Sequence, residues 1–168
     1  MLGYLKKGLF YFCVVIIIFT GQAIFDSKSV RGNAPAIETL TIDGQNAMKL
    51  VDKGKGPAII YFWAEWCGIC EMMHEPISQI LKLYPGVTIA VKSGSKPELK
   101  QYMRQQNLVW PVVNDPEGMI AKKYKINGVP NVLILDDKGD IVLSVSGYSS
   151  EIGLRFRVWL IGFFGKQM

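Results

Sequence analysis

The feature that most constrains this chain is an apolar run at residues 58–64, which ends shortly before two closely spaced cysteines. The run reads Ala-Ile-Ile-Tyr-Phe-Trp-Ala and carries no charge. A short segment that is apolar at every position, rather than at alternate ones, is typical of a strand buried on both faces. Such strands belong to sheets covered by helices on both sides, so the run predicts an α/β fold.

The segment that begins between the two cysteines has the spacing of a helix. Its apolar residues recur along one stripe: Ile69, Met73, Ile77, Ile80 and Tyr84. One such stripe indicates a helix that packs against the sheet. Pro76 lies inside the pattern and predicts a kink, and Pro85-Gly86 predicts the end of the helix.

The remaining elements complete a small α/β domain. Strands are predicted at residues 37–42, 87–91, 131–135 and 141–145, a short extended segment at 108–113, and helices at 96–105 and 117–124. Asp43-Gly44 predicts a turn, and residues 136–140 predict the turn of a hairpin. A final helix begins at Ser149 or Ser150 and presents an apolar stripe that we expect to pack on the sheet: Ile152, Phe156, Trp159, Leu160 and Phe163.

The N-terminal part predicts a membrane anchor. Lys6 and Lys7 precede an uncharged, mostly apolar stretch that lasts until Asp26. Its length is at the short end of what spans a bilayer, and the preceding lysines place the N-terminus in the cytoplasm. The layout is then a cytoplasmic segment at 1–8, a transmembrane anchor at 9–25, a linker at 26–36 and a globular domain at 37–168. A signal peptide cleaved near Gly21-Gln22-Ala23 is the alternative, and either reading exports the domain.

Composition excludes several classes of protein. The chain has 19 basic and 14 acidic residues, without a dense basic stripe or a nucleic-acid-binding motif, so we expect no nucleic-acid partner. Three cysteines are too few for a small disulfide scaffold. One of them, Cys13, lies in the apolar stretch and is expected to have no chemical role. The other two provide half the ligands of a four-cysteine zinc site, so no metal or other cofactor is predicted.

Cys67 and Cys70 stand where the buried strand gives way to a helix. Unpaired N–H groups and a partial positive charge at the start of a helix favour a thiolate, which is the nucleophile of disulfide exchange. Cys67 lies at that exposed end, and Cys70, three residues on, can reach it from the same face. The sequence predicts that Cys67 attacks a partner disulfide and Cys70 resolves the mixed disulfide. A structural disulfide, or half of a metal site shared with another chain, is the alternative.

Two motifs resemble the thioredoxin superfamily. Phe-Trp-Ala-Glu-Trp-Cys-Gly-Ile-Cys at residues 62–70 resembles the active-site segment, and Gly128-Val129-Pro130 resembles the cis-proline loop. The resemblance covers roughly residues 37–164. It implies a thioredoxin-like three-layer α/β sandwich with a central mixed sheet, preceded here by one transmembrane helix. It also implies a cis Pro130, with Trp66, Val129 and Pro130 facing the substrate.

The anchored arrangement is similar to the exported branch of the superfamily, which includes TlpA-like, cytochrome-c-maturation and suppressor-of-copper-sensitivity D-type proteins. The similarity implies a protein-disulfide oxidoreductase on the outer side of the bacterial cytoplasmic membrane. We expect it to reduce protein or small-molecule disulfides with electrons from a membrane thiol reductase. The alternatives are a disulfide-forming oxidant and a copper-binding module connected with copper tolerance.

Some positions depart from the thioredoxin pattern. Tyr61 stands where thioredoxins have a buried Asp that aids proton transfer, and Pro76 comes one residue later than the family's proline. Glu65 and Glu75 are candidate modulators of proton transfer. His74 is the only histidine of the chain, and we expect it to be a surface or packing residue rather than a copper ligand.

Overall fold

The computed structural model describes residues 32–51 and 56–165. The predicted anchor at 9–25, its preceding lysines, Cys13 and the first part of the linker lie outside the described residues. Within the described ranges, no helix combines the length and the apolar character that crossing a bilayer requires.

The described chain contains six strands and six helices, mostly in alternation. The strands are β1 (Gly32–Asn33), β2 (Ala58–Trp63), β3 (Gly86–Val91), β4 (Val112–Asp115), β5 (Asn131–Leu135) and β6 (Asp140–Ser146). The helices are α1 (Ala47–Leu50), α2 (Gly68–Met72), α3 (His74–Leu83), α4 (Lys96–Gln105), α5 (Met119–Lys123) and α6 (Glu151–Gly165).

All six strands form one mixed sheet in the order β1-β6-β5-β2-β3-β4. β2 is parallel to β3 and antiparallel to β5, with Ala58 opposite Leu135 and Phe62 opposite Asn131. The end of the sheet at which β2 finishes and β5 begins therefore carries both the cysteines and the cis-proline loop. We call it the cysteine end, and the opposite end, where β2 begins, the entry end.

Two apolar cores lie on the two faces of the sheet. Alternate residues of β2 point to opposite sides, so Tyr61 and Trp63 join the core under α2, α3, α4 and α6. Ile60 and Phe62 join the core under α1 and α5. Every residue of β2 is buried, as the apolar run predicts. The thioredoxin-like three-layer α/β arrangement is confirmed.

The predicted kink is a complete break between two helices at Met73. Pro76 becomes the third residue of α3, where a missing backbone N–H interrupts no helical hydrogen bond. Met73, Ile77 and Ile80 are buried as the stripe predicts, but Ile69 is 49% exposed. Its placement on the buried stripe is wrong, because Ile69 lies on α2, whereas the buried part of the stripe begins at Met73, after α2 ends.

The strand predicted at residues 37–42 is wrong. Only an isolated bridge between Leu40 and Asn46 occurs there, although the turn at residues 42–44 is present. Ile37 is buried in the core under α1 and α5, whereas Ile42 belongs to the core on the other face. The segment runs past α5, where Tyr124 donates a hydrogen bond to Pro35 O, and reaches β4 at the far edge of the sheet. Beside β4 it is joined by the bond from Ile42 N–H to Val112 O at 2.7 Å, and it forms no ladder with that strand.

The predicted packing of the α6 stripe on the sheet is also wrong. Leu154 and Val158 are buried, with 0% exposure, and they face α3 and the sheet. Most of the predicted stripe points outward on the opposite side of the helix: Ile152 is 80% exposed, Phe156 56%, Trp159 55% and Phe163 51%. The helix is apolar on both sides, so its pattern does not reveal which side is covered.

Candidate active site

The two cysteines lie at the cysteine end of the sheet, in the connection from β2 to α2. Cys67 N–H donates to Ala64 O at 3.3 Å, which closes a turn directly after the strand. Cys67 and Cys70 are joined by a disulfide bond, with their Cα atoms 5.2 Å apart. Cys67 is half-buried, whereas Cys70 is completely buried under the helices. A partner can therefore reach the first sulfur but not the second.

The start of α2 favours negative charge on Cys67. Cys67 is the N-cap residue, and Cys70 N–H donates to its Sγ at 3.2 Å. When the disulfide is reduced, this donor and the partial positive charge at the start of the helix act on the Cys67 sulfur. They stabilise a thiolate there, and the thiolate is the form that attacks disulfides.

The loop before β5 faces the Cys67 sulfur. The Val129–Pro130 peptide bond is cis, which confirms the predicted isomer. Val129 O lies 3.7 Å from Cys67 Sγ, and the buried Pro130 accepts a hydrogen bond from Gly147 N–H at 2.9 Å. Two segments some sixty residues apart in sequence thus form one surface.

Trp66 forms the other side of this surface. Its side chain is 63% exposed, although Nε1–H donates to Lys92 O at 3.0 Å. The bond holds the indole ring beside the cysteines while its apolar face remains open to solvent. A half-buried sulfur between an exposed aromatic ring and a backbone carbonyl suits contact with an extended partner chain.

The AhpC/TSA family model matches residues 30–144, which is more than half of the chain. The chain belongs to the AhpC/TSA family. It is 30% identical over 163 residues to a thioredoxin-like protein of Haemophilus influenzae, covering 96% of each chain. It is 23% identical to the thiol-disulfide oxidoreductase ResA of Bacillus cereus, covering 87% of this chain and 92% of ResA.

A solved structure gives the same result for the fold. A thiol:disulfide interchange protein of the thioredoxin family from Chlorobium tepidum superposes with a TM-score of 0.64 at 26% identity, covering 79% of this chain and 97% of that one. With the paired cysteines in place, the AhpC/TSA member described here is a thioredoxin-like thiol–disulfide oxidoreductase.

This AhpC/TSA protein has a tyrosine where thioredoxins place a buried acid. Tyr61 is completely buried in the same core as Cys70, and its hydroxyl has no hydrogen-bond partner among the described residues. Burial raises the pKa of Tyr61 well above its ordinary value. The hydroxyl therefore stays protonated and does not serve as a base.

His74 is part of an aromatic cluster rather than a surface residue. Its ring contacts three neighbours edge-on, with centroid distances of 6.1 Å to Trp63, 6.1 Å to Tyr102 and 5.5 Å to Trp110. Burial lowers the pKa of His74, and the nearby Glu71 carboxylate opposes part of that effect. Of the two roles that the sequence predicts for His74, surface or packing, this position matches packing.

The two candidate acids differ in their surroundings. Glu75 is exposed on α3 and accepts a hydrogen bond from Gln79. Glu65 is half-buried, and its backbone N–H donates to Ser93 Oγ at 3.1 Å. Within residues 32–51 and 56–165, no group of three or more His, Cys, Asp or Glu side chains is arranged to hold a metal ion.

Sequence reasoning missed two residues that support the site. Ser93 is completely buried, and its hydroxyl donates to Val91 O at 3.2 Å while accepting from Glu65 N–H. Lys92 has φ +49°, which turns its carbonyl toward the Trp66 indole. A left-handed lysine and a buried serine after β3 carry no recognisable motif, so only the folded structure shows them.

Proposed function

We propose that this protein is a thiol–disulfide reductase, tethered to the outer face of the bacterial cytoplasmic membrane, that works through a Cys67/Cys70 dithiol cycle. The observation that carries the proposal is the contrast between the two sulfurs. Cys67 is accessible and faces Val129 O at 3.7 Å, whereas Cys70 is completely buried behind it. One sulfur is placed to attack and the other to resolve.

The cycle starts from the reduced pair. The Cys67 thiolate attacks one sulfur of a partner disulfide, a mixed disulfide forms, and the other partner sulfur leaves as a thiolate that takes a proton from water. Cys70 then loses its proton and attacks Cys67 Sγ, which releases the second partner sulfur. The partner gains two electrons, and the product is the Cys67–Cys70 disulfide seen in the structure.

Substrate contacts follow from the surface around Cys67. Trp66 offers an apolar ring, and the loop at Val129 and Pro130 offers backbone groups within reach of a chain bound across the sulfur. Glu65, half-buried beside this surface, and Glu75, on α3, modulate proton transfer during the two exchange steps. Tyr61 takes no proton in this scheme, so Cys70 loses its proton to solvent or to one of these acids.

The tether rests on the sequence and is consistent with the path of the chain. Lys6 and Lys7 precede the apolar segment 9–25, and the described chain begins at Gly32. Gly32 pairs with Ile141, near the hairpin turn at the entry end of the sheet. A membrane anchor attached at this end leaves the cysteine end accessible. A membrane thiol reductase is the electron donor that an exported reductase requires.

The direction of electron flow is tested by the reduction potential of the cysteine pair. The full chain in detergent is equilibrated with glutathione buffers, and the oxidised fraction is measured by thiol alkylation. A value near about −270 mV, as in thioredoxin, supports a reductase. A value near about −120 mV, as in a strong oxidant, overturns the reductase assignment and favours disulfide formation.

A further inference from the structure

A groove of about 450 Å³ lies beside the active site. Trp66 and Val129, the two residues that flank Cys67, also line this groove. It continues away from the sulfur between the end of β3 and α5. A chain held across Cys67 therefore extends into the groove on this side.

The groove is positively charged. Lys92, Lys122 and Lys125 line it, and no Asp or Glu is among its lining residues. All three lysines are exposed, and in the part of the chain that the structure describes none of them forms an ion pair. Negative charge on a bound chain would therefore pair with these lysines.

Lys92 is held in place at the mouth of the groove. Its carbonyl accepts the hydrogen bond from the Trp66 indole, and its backbone has φ +49°. Its side chain lies over Gly118, where an added Cβ would come within 3.1 Å of Lys92 Cε. Both the backbone and the side chain of this groove lysine are thus held by contacts of their own.

We infer that this groove binds an acidic segment next to the reactive cysteine of the partner protein. The inference rests on the proposed reductase function and adds the class of substrate. Charge complementarity of this kind raises association rates and discriminates against partners of the wrong charge. Because the lysines are exposed, the effect decreases as salt screens them.

The test uses two peptides with the same disulfide, one flanked by Asp and Glu and one by Ser and Gln. The second-order rate constant of disulfide exchange is measured by mixing the reduced full chain, in detergent, with each peptide. We expect the acidic peptide to be reduced roughly tenfold faster at low salt, in the lower range of electrostatic steering. The preference is expected to be lost when Lys92→Gln, Lys122→Gln and Lys125→Gln are combined.

The control replaces three exposed lysines near the entry end, combining Lys49→Gln, Lys82→Gln and Lys138→Gln, and should keep the preference. Equal rates for both peptides, or a preference that survives in the groove variant, overturn the inference while leaving the reductase proposal intact. Reduction of neither peptide overturns both.

A second observation concerns the outer face of α6. Ile152, Phe156 and Trp159 lie on one exposed stripe opposite the buried Leu154, and the rings of Phe156 and Trp159 stack at a centroid distance of 6.1 Å. Large apolar side chains grouped in this way on a surface mark an interaction site.

The path of the chain places this face near the proposed anchor. α6 starts at the cysteine end, shortly after Gly147, whose N–H donates a hydrogen bond to Pro130 O. It ends at the entry end, where Gly162 lies against Pro57. Only residues 26–31 separate the predicted anchor from Gly32. Six residues reach at most about 20 Å, so an anchored domain stays at the membrane surface.

The geometry points to the outer face of α6 lying on the surface of an anionic bilayer, which rests on the tether in the proposed function. Phe156 and Trp159 are residue types that prefer the region between lipid headgroups and acyl chains. Arg155 forms an ion pair with Glu151 at 2.7 Å, and Arg157 leaves this helix with one net positive charge, which suits anionic headgroups.

The test uses the full chain in vesicles of phosphatidylcholine and phosphatidylglycerol that carry brominated acyl chains, which quench nearby tryptophans. We expect quenching in the unchanged chain, its loss in Trp159→Phe, and no loss in Trp66→Phe, whose indole is similarly exposed at the cysteine end. Reductase activity is measured separately and reports on the cysteines alone.

Three results overturn this second inference. The first is equal quenching in the unchanged chain and Trp159→Phe. The second is no association of the chain with the vesicles. The third is a chain that forms dimers, shows no tryptophan quenching by the lipid, and becomes monomeric when Phe156→Ser is introduced. In that case a second copy of the chain, and not the bilayer, covers the outer face of α6.

Discussion

Replacing Tyr61 by Phe is expected to stabilise the fold, although it removes a polar group from the core. The Tyr61 hydroxyl is completely buried and has no partner among the described residues. Burying an unpartnered hydroxyl costs about 1–3 kcal/mol in mutational series. Phe keeps the ring and its edge-on contact with Trp110, at a centroid distance of 6.0 Å, so the packing is retained.

The matched control is Tyr124→Phe. Tyr124 is also buried, at 1% exposure, but its hydroxyl donates a hydrogen bond to Pro35 O. Removing that bond should destabilise the fold by about 0.5–1.5 kcal/mol. The two substitutions delete the same atom on opposite faces of one sheet. We expect them to change the free energy of unfolding in opposite directions.

Thermal unfolding of the oxidised full chain in mild detergent measures both variants. For a chain of this size, each kcal/mol corresponds to about 2–4 °C in Tm. Tyr61→Phe should also retain disulfide reduction, since a hydroxyl whose pKa burial raises takes no proton from Cys70. If Tyr61→Phe loses as much stability as Tyr124→Phe, the hydroxyl has a partner and the reasoning is refuted.

Two further predictions concern other parts of the same core. The pKa of His74 is lower in the folded chain than in the unfolded chain. As pH falls below about 6.5, the unfolded chain therefore takes up a proton at His74 before the folded chain does, and the free energy of unfolding should decrease. His74→Phe should remove that part of the decline, seen as a smaller difference between urea midpoints at pH 7.5 and 5.5; an unchanged difference counts against a half-buried, neutral His74. On α6, Leu154→Ala should cost about 2–5 kcal/mol because the side chain is completely buried, whereas Phe156→Ala in detergent should change stability by no more than about 0.5 kcal/mol. Similar losses for the two would contradict the orientation of the helix.

The parts of the fold that the sequence predicts well are those with strong local signals. β2 is apolar at every position, and α4 has the predicted bounds because Ser95 and Glu98 form a capping box at its start. The hairpin turn between β5 and β6 is stabilised by Asp136, whose side chain accepts from Lys138 N–H and Asp140 N–H. Such residues determine structure through their immediate neighbours.

The errors occur where distant parts of the chain decide the outcome. Ile37 and Ile42 are both buried, as their character suggests, but in different cores, because the segment crosses from one edge of the sheet to the other. The apolar residues of α6 lie on two sides, and only contact with α3 selects Leu154 and Val158 as the buried ones. Neither outcome is encoded in local periodicity.

The candidate site shows the same division. The cysteine pair and the Val129–Pro130 loop were recognisable as motifs, and the structure brings them to 3.7 Å of each other. The contacts of Lys92 and Ser93 were not recognisable, because they depend on how the connection after β3 meets the turn before Cys67.

The central claim is that Cys67 is the attacking sulfur and Cys70 the resolving one. It is tested by incubating Cys70→Ser and Cys67→Ser full chains with a disulfide-bonded protein and identifying the linked products by mass spectrometry. The account predicts a stable mixed disulfide through Cys67 in the first variant, and no comparable product in the second, because Cys70 is buried. Mixed disulfides formed mainly through Cys70, or turnover by Cys67→Ser, would contradict it.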